Sequence, residues 1–461
     1  MDRKDRSIAK LDRNQNQNLQ KLANVFHDGF SLTQHQYQVP TPRSSGKKNS
    51  AASVFKVPLH GPNTQTRNPG QPIDVNTARG LRLTIVGSPS QPFTSDWKKF
   101  FFAFRNPKSK LPYGLDASLP GPRALALCAQ AYILKNLMFS SEKPREETYF
   151  GKESPRPSAM EQDGALVDAM VDILWKAALP LARQTQKHQT NNPEKKQVIV
   201  TLVGHDPCFQ TKGNFIGDGF TEKLWLYTLN TRNDVRKFVR RNIHYFCERI
   251  SPGGIMLLYS VVLSRTFDVI MKDMGQRQKA LLTDNARSTQ ALVNLLLTGN
   301  AAPFVHNGVI RCDSQGKALD RPLPGIRSRS DVGFLFFNKQ EHEKRRTQVG
   351  SMYKTPLVPI WVTQVNGTFG LLFCTSRDLV TDWKTERYFT LHYYNGHVTQ
   401  QTETVLTIDT RTRVDSINPD KQISIWDDEE EVEKKQPSLE LLIFTKWPEA
   451  DVDWSGETPY Y

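Results

Sequence analysis

The residues best placed for chemistry lie at the start of one helix. Gly121-Pro122 opens a run, Ala124 to Phe139, that is apolar on nearly every side apart from Gln130, Lys135 and Asn136, the pattern of a helix buried all round. A thiol at such an N-terminus would be a strong nucleophile. Unpaired N–H groups and the positive end of the macrodipole stabilise its thiolate, and a histidine from a separate sheet can serve as its base. The residue at that position is Arg123. A guanidinium is always protonated and cannot attack a carbonyl. Ordinary thiol chemistry is therefore expected to be absent here.

Other nucleophiles and ligands offer less. Five cysteines, Cys128, Cys208, Cys247, Cys312 and Cys374, are widely spaced, with no Cys-x-x-Cys pair and no Cys/His run, so neither a disulfide scaffold nor a structural zinc is expected. Cys128 lies more than a helical turn beyond Arg123 and reads as an inert core thiol, as does Cys374 at the end of an apolar strand. Cys208 follows His205 in Gly204-His205-Asp206-Pro207-Cys208, but catalytic pairs are made by three-dimensional geometry, and a proline turn explains the segment. His342 stands between Glu341 and Glu343 in a charged stretch that lacks the i, i+4 histidine pair of a zinc-protease helix. His392 and His397 flank a turn and read as surface residues. No metal and no cofactor are expected.

Two charge clusters bear on partners. Arg232, Arg236, Lys237, Arg240 and Arg241 line one predicted helix. A basic face of this kind can meet nucleic acid, although no aromatic stacking motif accompanies it and a solvated face is the simpler reading. Asp427 to Glu431 with Glu433 reads as a solvated acidic loop. The whole chain of 461 residues carries 61 Lys and Arg against 47 Asp and Glu, a net charge of +14, which favours acidic partners without naming one.

These residues must be positioned by the surrounding elements. From residue 1 to about 78 the chain is rich in Gln, Asn, Ser and Pro and is basic, so it is expected to be disordered, with a short helix around Ile8 to Phe26 as the one local exception. Leu81 to Val86 reads as a strand and Thr94-Ser95-Asp96 as a helix entry at Trp97. Ser141 to Gln162 reads as a loop, Gly164 to Ala182 as a helix, Gln184 to Lys196 as a solvated connection and Val198 to Val203 as a β-branched strand. Asn233 can cap a helix reaching about Ile250, and Ile255 to about Asp273 reads as a second apolar helix.

Beyond about Gly308 the pattern turns to strands at Val332–Phe336, Pro359–Thr363, Phe369–Cys374 and Tyr388–Tyr394. Asn366-Gly367 and Asn395-Gly396 supply turn signals, because a type I′ turn needs positive φ at both centres. A helical first half docked on an antiparallel sheet is an α+β fold. No stretch reaches the ~18 apolar residues of a membrane helix, and the opening Met1–Arg6 has no apolar segment behind it, so an intracellular, cytoplasmic protein with no membrane partner is expected.

Three motifs resemble the MINDY deubiquitinases. Pro112-Tyr113-Gly114-Leu115-Asp116-Ala117-Ser118-Leu119-Pro120-Gly121-Pro122-Arg123-Ala124-Leu125-Ala126 is similar to a signature in which Gly-Leu is followed by Val-Gln, two variable residues and Gly-Gly-Pro-Cys-Gly-Val-Leu-Ala. Val349-Gly350-Ser351-Met352-Tyr353-Lys354-Thr355-Pro356 leads into Pro359-Ile360-Trp361-Val362 and the strand Phe369-Gly370-Leu371-Leu372-Phe373. Thr445-Lys446-Trp447-Pro448-Glu449-Ala450 with Val452-Asp453-Trp454-Ser455-Gly456 is the third. The likeness spans about Leu81 to Gly456 and is strongest to the fourth mammalian type and its inactive "B" paralogue.

The resemblance implies a papain-like cysteine-peptidase fold, residues 79–461, acting on Lys48-linked polyubiquitin with a Cys nucleophile, a His base and an oxyanion Gln. Carried over residue by residue, the nucleophile position holds Arg123, the Gln position Ala117 and the His position Thr368; the adjoining glycines are Ala124 and Pro120. One lost oxyanion donor alone costs ~10²–10³ in rate, and losses within a catalytic unit do not simply add. The expectation is a pseudoenzyme that binds ubiquitin or ubiquitinated proteins, with Arg123, Trp361 and Trp447 as candidate binding residues. Two alternatives stay open: residual hydrolysis through Cys128 or Cys208, and a basic nucleic-acid-binding module, which is disfavoured.

Overall fold

A computed structural model describes residues 69–140, 153–181, 195–210, 215–275, 280–313, 315–340, 348–411 and 436–456. The helix expected at Ile8 to Phe26, His342 and the acidic run Asp427 to Glu433 lie outside the described residues, as does nearly all of the segment 1–78. Strand β1 (Gln71–Pro72) and helix α1 (Val75–Val86) come first. α1 corrects the strand expected at Leu81–Val86. Asp74 accepts from the amides of Asn76 and Thr77 at 2.8 and 3.0 Å, so the helix starts upstream, and Ala78, Leu81 and Ile85 then share one buried face at helical spacing. It also crosses the boundary expected between 78 and 79.

The α2 helix (Ser95–Lys99) buries Trp97 as its entry signal implied. α3 (Arg123–Met138) is followed by α4 (Ala159–Ala177). The latter starts within the segment expected to be a loop because Ser158 and Glu161 form a reciprocal capping box, a Ser-x-x-Glu signal present in the sequence. β2 (Leu179–Pro180), β3 (Lys196–Val203) and β4 (Leu224–Leu229) precede α5 (Arg232–Arg241) and α6 (His244–Cys247). Thr231, not Asn233, caps α5, its side chain accepting from the amide of Asp234 at 3.1 Å. The second apolar helix is two: α7 (Gly253–Arg265) and α8 (Phe267–Asp273) meet at 84°, broken at Thr266, whose φ is 69°. No single described helix is long and apolar enough to cross a membrane.

After α9 (Gln290–Thr298) come the hairpin β5 (Val309–Cys312) and β6 (Ala318–Pro324), then β7 (Gly333–Phe337), α10 (Ser351–Lys354), β8 (Ile360–Val365), β9 (Thr368–Phe373), β10 (Tyr388–Tyr394), β11 (Thr404–Asp409), α11 (Ser438–Phe444) and β12 (Asp451–Asp453). The chain is α+β, with two corrections. The first half holds a four-stranded antiparallel sheet of its own, β1-β4-β3-β2. The second sheet, β12-β11-β10-β9-β8-β7, is mixed, since β7 and β8 run parallel; a crossover carrying α10 separates them, as a parallel pair requires.

Alternation along the second sheet sorts its side chains. Ile360, Val362, Leu371 and Phe373 join the core that contains α3. Trp361 and Leu372, between them in sequence, point the other way, into a second core with Leu442 of α11 and Trp447, as a period of two dictates. The β8–β9 hairpin pairs Val365 with Thr368 across Asn366-Gly367, whose φ values are 47° and 83°, the two-residue turn expected. A Cβ at Gly367 would meet nothing within 4 Å. Gly367→Ala is therefore expected to cost about 1–2 kcal/mol through backbone strain alone, read as a lower urea midpoint with an unchanged slope.

Candidate functional site

α3 begins without a side-chain cap and 13 of its 16 residues are buried. It packs against α4 on one side and against β8 and β9 on the other, so its N-terminus opens onto the turn of the β8–β9 hairpin. Arg123 sits at that N-terminus, half-buried, and its guanidinium holds three strands of chain together. Nη1 donates to the Ala117 carbonyl at 3.0 Å, Nε to the Phe369 carbonyl at 3.1 Å and Nη2 to the Asn395 carbonyl. Burial pulls this guanidinium below its ordinary pKa, while the hydroxyls of Tyr393 and Tyr394 and the carboxylate of Asp116 act in the opposite sense.

The three positions singled out by the resemblance therefore converge. Ala117 is 1% exposed and its amide donates to the Gly396 carbonyl at 2.8 Å. Thr368 opens β9 and is exposed. Arg123 and Thr368 line a cavity of about 740 Å³, and Ala117 lies behind its wall, next to Ser118. Asn395, His397, Arg287 and Ser288 line it as well. Sequence reasoning did not reach these four: Asn395-Gly396 signals only a turn, His397 looks like a surface residue, and no local pattern links residues 287–288 to residue 123.

Trp361 and Trp447 are not surface residues. Trp361 is fully buried and Trp447 is 5% exposed, their rings packing edge to face at 5.6 Å, and Trp361 Nε1 donates to the Lys354 carbonyl at 3.0 Å. They offer a partner no face. Their apolar strand and helix context carries them into the core behind the cleft. His392 is also interior, at 0% exposure, with Nδ1 2.8 Å from a Glu403 carboxylate oxygen and its ring stacked on Phe373. A residue close to a turn ends up inside because its ring is covered by Phe373 of the neighbouring strand and by the Glu403 carboxylate.

The thiols are dispersed. Cys128 is buried in α3 and its thiol is pushed well up by desolvation. Burial likewise drives Cys247 up to about 12 and Cys374 up to about 11. Cys208 is half-buried, its amide donating to the Glu222 carbonyl and its Sγ 3.5 Å from the Leu224 carbonyl, and its thiol too is raised by burial. Cys312 lies exposed on β5. Among the described residues no group of three or more His, Cys, Asp or Glu could hold a metal ion. Two of the five cations on the basic helix are taken up by α4: Arg232 pairs with Asp172, and Arg236 pairs with Asp168 at 2.6 Å.

Comparison with known proteins places this geometry. A model described as the conserved domain of the deubiquitinating enzymes MINDY-3/4 matches residues 82–456. A Xenopus tropicalis protein named "Probable ubiquitin carboxyl-terminal hydrolase MINDY-4" is 34% identical over 407 residues, 88% of this chain and 49% of its own length. The human protein of the same name is 34% identical over 390 residues, covering 84% of this chain and 46% of its own length. The Xenopus tropicalis "Ubiquitin carboxyl-terminal hydrolase MINDY-3" is 24% identical over 266 residues, 54% of each chain. This chain thus spans about half the length of the MINDY-4 relatives it matches. No solved structure matches it. Because the family match runs through all three motifs and encloses the convergent residues 117, 123 and 368, the chain belongs to the MINDY-3/4 family.

Proposed function

We propose that this chain is a ubiquitin-recognising pseudoenzyme: a papain-like scaffold of the MINDY type, in residues 79–461, that binds Lys48-linked polyubiquitin or ubiquitinated proteins without hydrolysing them, in an intracellular, cytoplasmic setting. The observation that carries the reading is the fate of Arg123. At a helix N-terminus suited to a thiolate, a guanidinium instead cross-links the backbones of residues 117, 369 and 395. It closes the place where a nucleophile, a base and an oxyanion donor would meet, and Ala117 and Thr368 supply neither of the other two groups.

Support also comes from the remaining thiols. None of the buried ones has the depressed pKa or electropositive setting that nucleophilic cysteine needs, which counts against hydrolysis through Cys128 or Cys208. The nucleic-acid reading is weakened by the ion pairs that occupy Arg232 and Arg236; if it held, affinity for RNA or DNA would fall steeply with salt.

The test is prolonged incubation with Lys48-linked tetra-ubiquitin followed by gel filtration, each fraction being run on a denaturing gel. Co-migration with intact chains is expected, together with no adduct to a ubiquitin-based thiol probe, while iodoacetamide at neutral pH labels Cys312 ahead of Cys128 and Cys374. Shortened chains that disappear in Cys208→Ser or Cys128→Ser would replace the proposal with an unconventional hydrolase.

A further inference from the structure

The second and third sequence motifs meet at the second core and gather cations there. Lys446 Nζ lies 4.4 Å from the Trp447 ring centroid and 5.6 Å from that of Trp361, with only 6% of its side chain exposed. Trp361 in turn donates its indole N–H to the Lys354 carbonyl. The Lys354 ammonium crosses the same junction to the Thr445 carbonyl at 2.6 Å, at the C-terminal end of α11. Arg329, which is exposed, reaches the carbonyls of Thr355 and Pro356, the latter at 2.7 Å. Backbone carbonyls thus fix three cations in one neighbourhood, and a carbonyl brings no net charge to balance them.

One carboxylate stands against them. Glu386 Oε1 is 3.2 Å from Lys446 Nζ and 3.4 Å from Trp447 Nε1, and its side chain is 39% exposed. Among the described residues Arg329 and Lys354 make no ion pair, and Asp331, two residues beyond Arg329, is held by Lys135 and Lys176. Burial lowers the pKa of Lys354, and the charge of Lys446 lowers it further. Burial also lowers Lys446; Glu386 opposes that shift and Arg329 adds to it. Holding like charges together costs free energy that a bound anion offsets. The planar fork of Arg329 keeps its Nη1 edge free of protein partners, and with the remaining N–H groups of Lys354 it matches the oxygens of a tetrahedral dianion. Leu357, next after Pro356, is 44% exposed and offers apolar contact to whatever flanks that anion. We propose that Arg329, Lys354 and Lys446 form a binding site for a phosphate group carried on a side chain of a partner polypeptide, with Glu386 competing for the same cations from within the chain.

The test titrates the full chain, at physiological ionic strength, into a fluorescein-labelled peptide with one phosphoserine between leucines and into its unphosphorylated form, following anisotropy. The phosphopeptide is expected to bind roughly 10- to 100-fold more tightly, the worth of a charge-assisted hydrogen bond. Arg329→Gln and Lys354→Met are each expected to remove about 10-fold of that preference. Glu386→Gln keeps an acceptor for the Trp447 indole and removes the competing charge, so it is expected to tighten phosphopeptide binding about 10-fold. That gain separates an anion site from a structural role, because loosening the local fold would not strengthen binding. Equal affinity for the two peptides would overturn the inference, as would a phosphopeptide preference that neither Arg329→Gln nor Glu386→Gln alters, which would put the anion elsewhere on the chain. Inorganic phosphate competing at the phosphopeptide's own dissociation constant would overturn the polypeptide source and assign the site to the free ion.

Discussion

Restoring all three convergent positions, in the triple variant Ala117→Gln, Arg123→Cys, Thr368→His, is expected to raise cleavage of Lys48-linked tetra-ubiquitin at least ~10³-fold over Arg123→Cys alone. A positioned general base contributes about 10²–10⁴ and an oxyanion donor about 10²–10³, and the groups act as a unit. The single variant is expected to stay at background, because a thiol at residue 123 gains the favourable end of α3 but has neither base nor donor. Removing the guanidinium frees the Ala117 carbonyl that it now holds, whereas the Ala117 Cβ is buried and faces Gly396, so a longer side chain at 117 requires the residue 395–396 turn to give way. Thr368 neighbours Phe369, whose carbonyl is 3.1 Å from Arg123 Nε. Equal rates for the single and triple variants would show that the cleft no longer supports this chemistry, and cleavage by the parent chain would show that it never lost it.

The largest effect on stability is expected from Arg82 and Asp218. Both side chains are fully buried, with Nη2 2.7 Å from Oδ2, although the N–H is not aimed well enough to count as a hydrogen bond. Arg82 also donates to the Pro89 carbonyl at 3.2 Å and lies 4.2 Å from the Phe215 ring centroid. Asp218 accepts from the amides of Phe220 and Thr221. Removing one partner strands the other charge in the interior, which costs about 3–5 kcal/mol, a large share of a typical domain's stability. Arg82→Ala is expected to lower the urea midpoint accordingly. Asp218→Asn keeps an acceptor for the two amides and isolates the charge, and the double variant is expected to lose less than the sum of the singles. Additive losses would mean that the two charges are not coupled.

Local chemistry explains which parts of the fold were legible. The β8–β9 hairpin follows from Asn366-Gly367, because the turn's backbone needs are met by those two residues regardless of what packs on them. The buried helix α3 follows from its unbroken apolar run. The misread elements turned on signals just outside the window considered: the Asp74 cap made a helix of Leu81–Val86, the Ser158–Glu161 box started α4 early, and a positive φ at Thr266 divided one apolar helix into two. The parallel pairing of β7 with β8 had no local signature, since strand direction depends on the path of the connection between them.

The candidate site divides in the same way. Residue types alone determine that position 123 carries no nucleophile, that position 368 carries no base and that position 117 carries no amide, because side-chain chemistry needs no fold to be read. The motif order also determines the family. Only the tertiary structure decided that these positions meet, since Arg123 reaches carbonyls 246 and 272 residues away and nothing periodic in a chain encodes such closures. It also decided that Trp361 and Trp447 pack inward: the direction of a strand side chain such as Trp361 depends on register against neighbouring strands, and Trp447, in the turn after α11, packs on it from the other side of the second core. And it placed Arg287 and Ser288 in the wall of the cleft in front of α3, a proximity that no local pattern in the chain encodes.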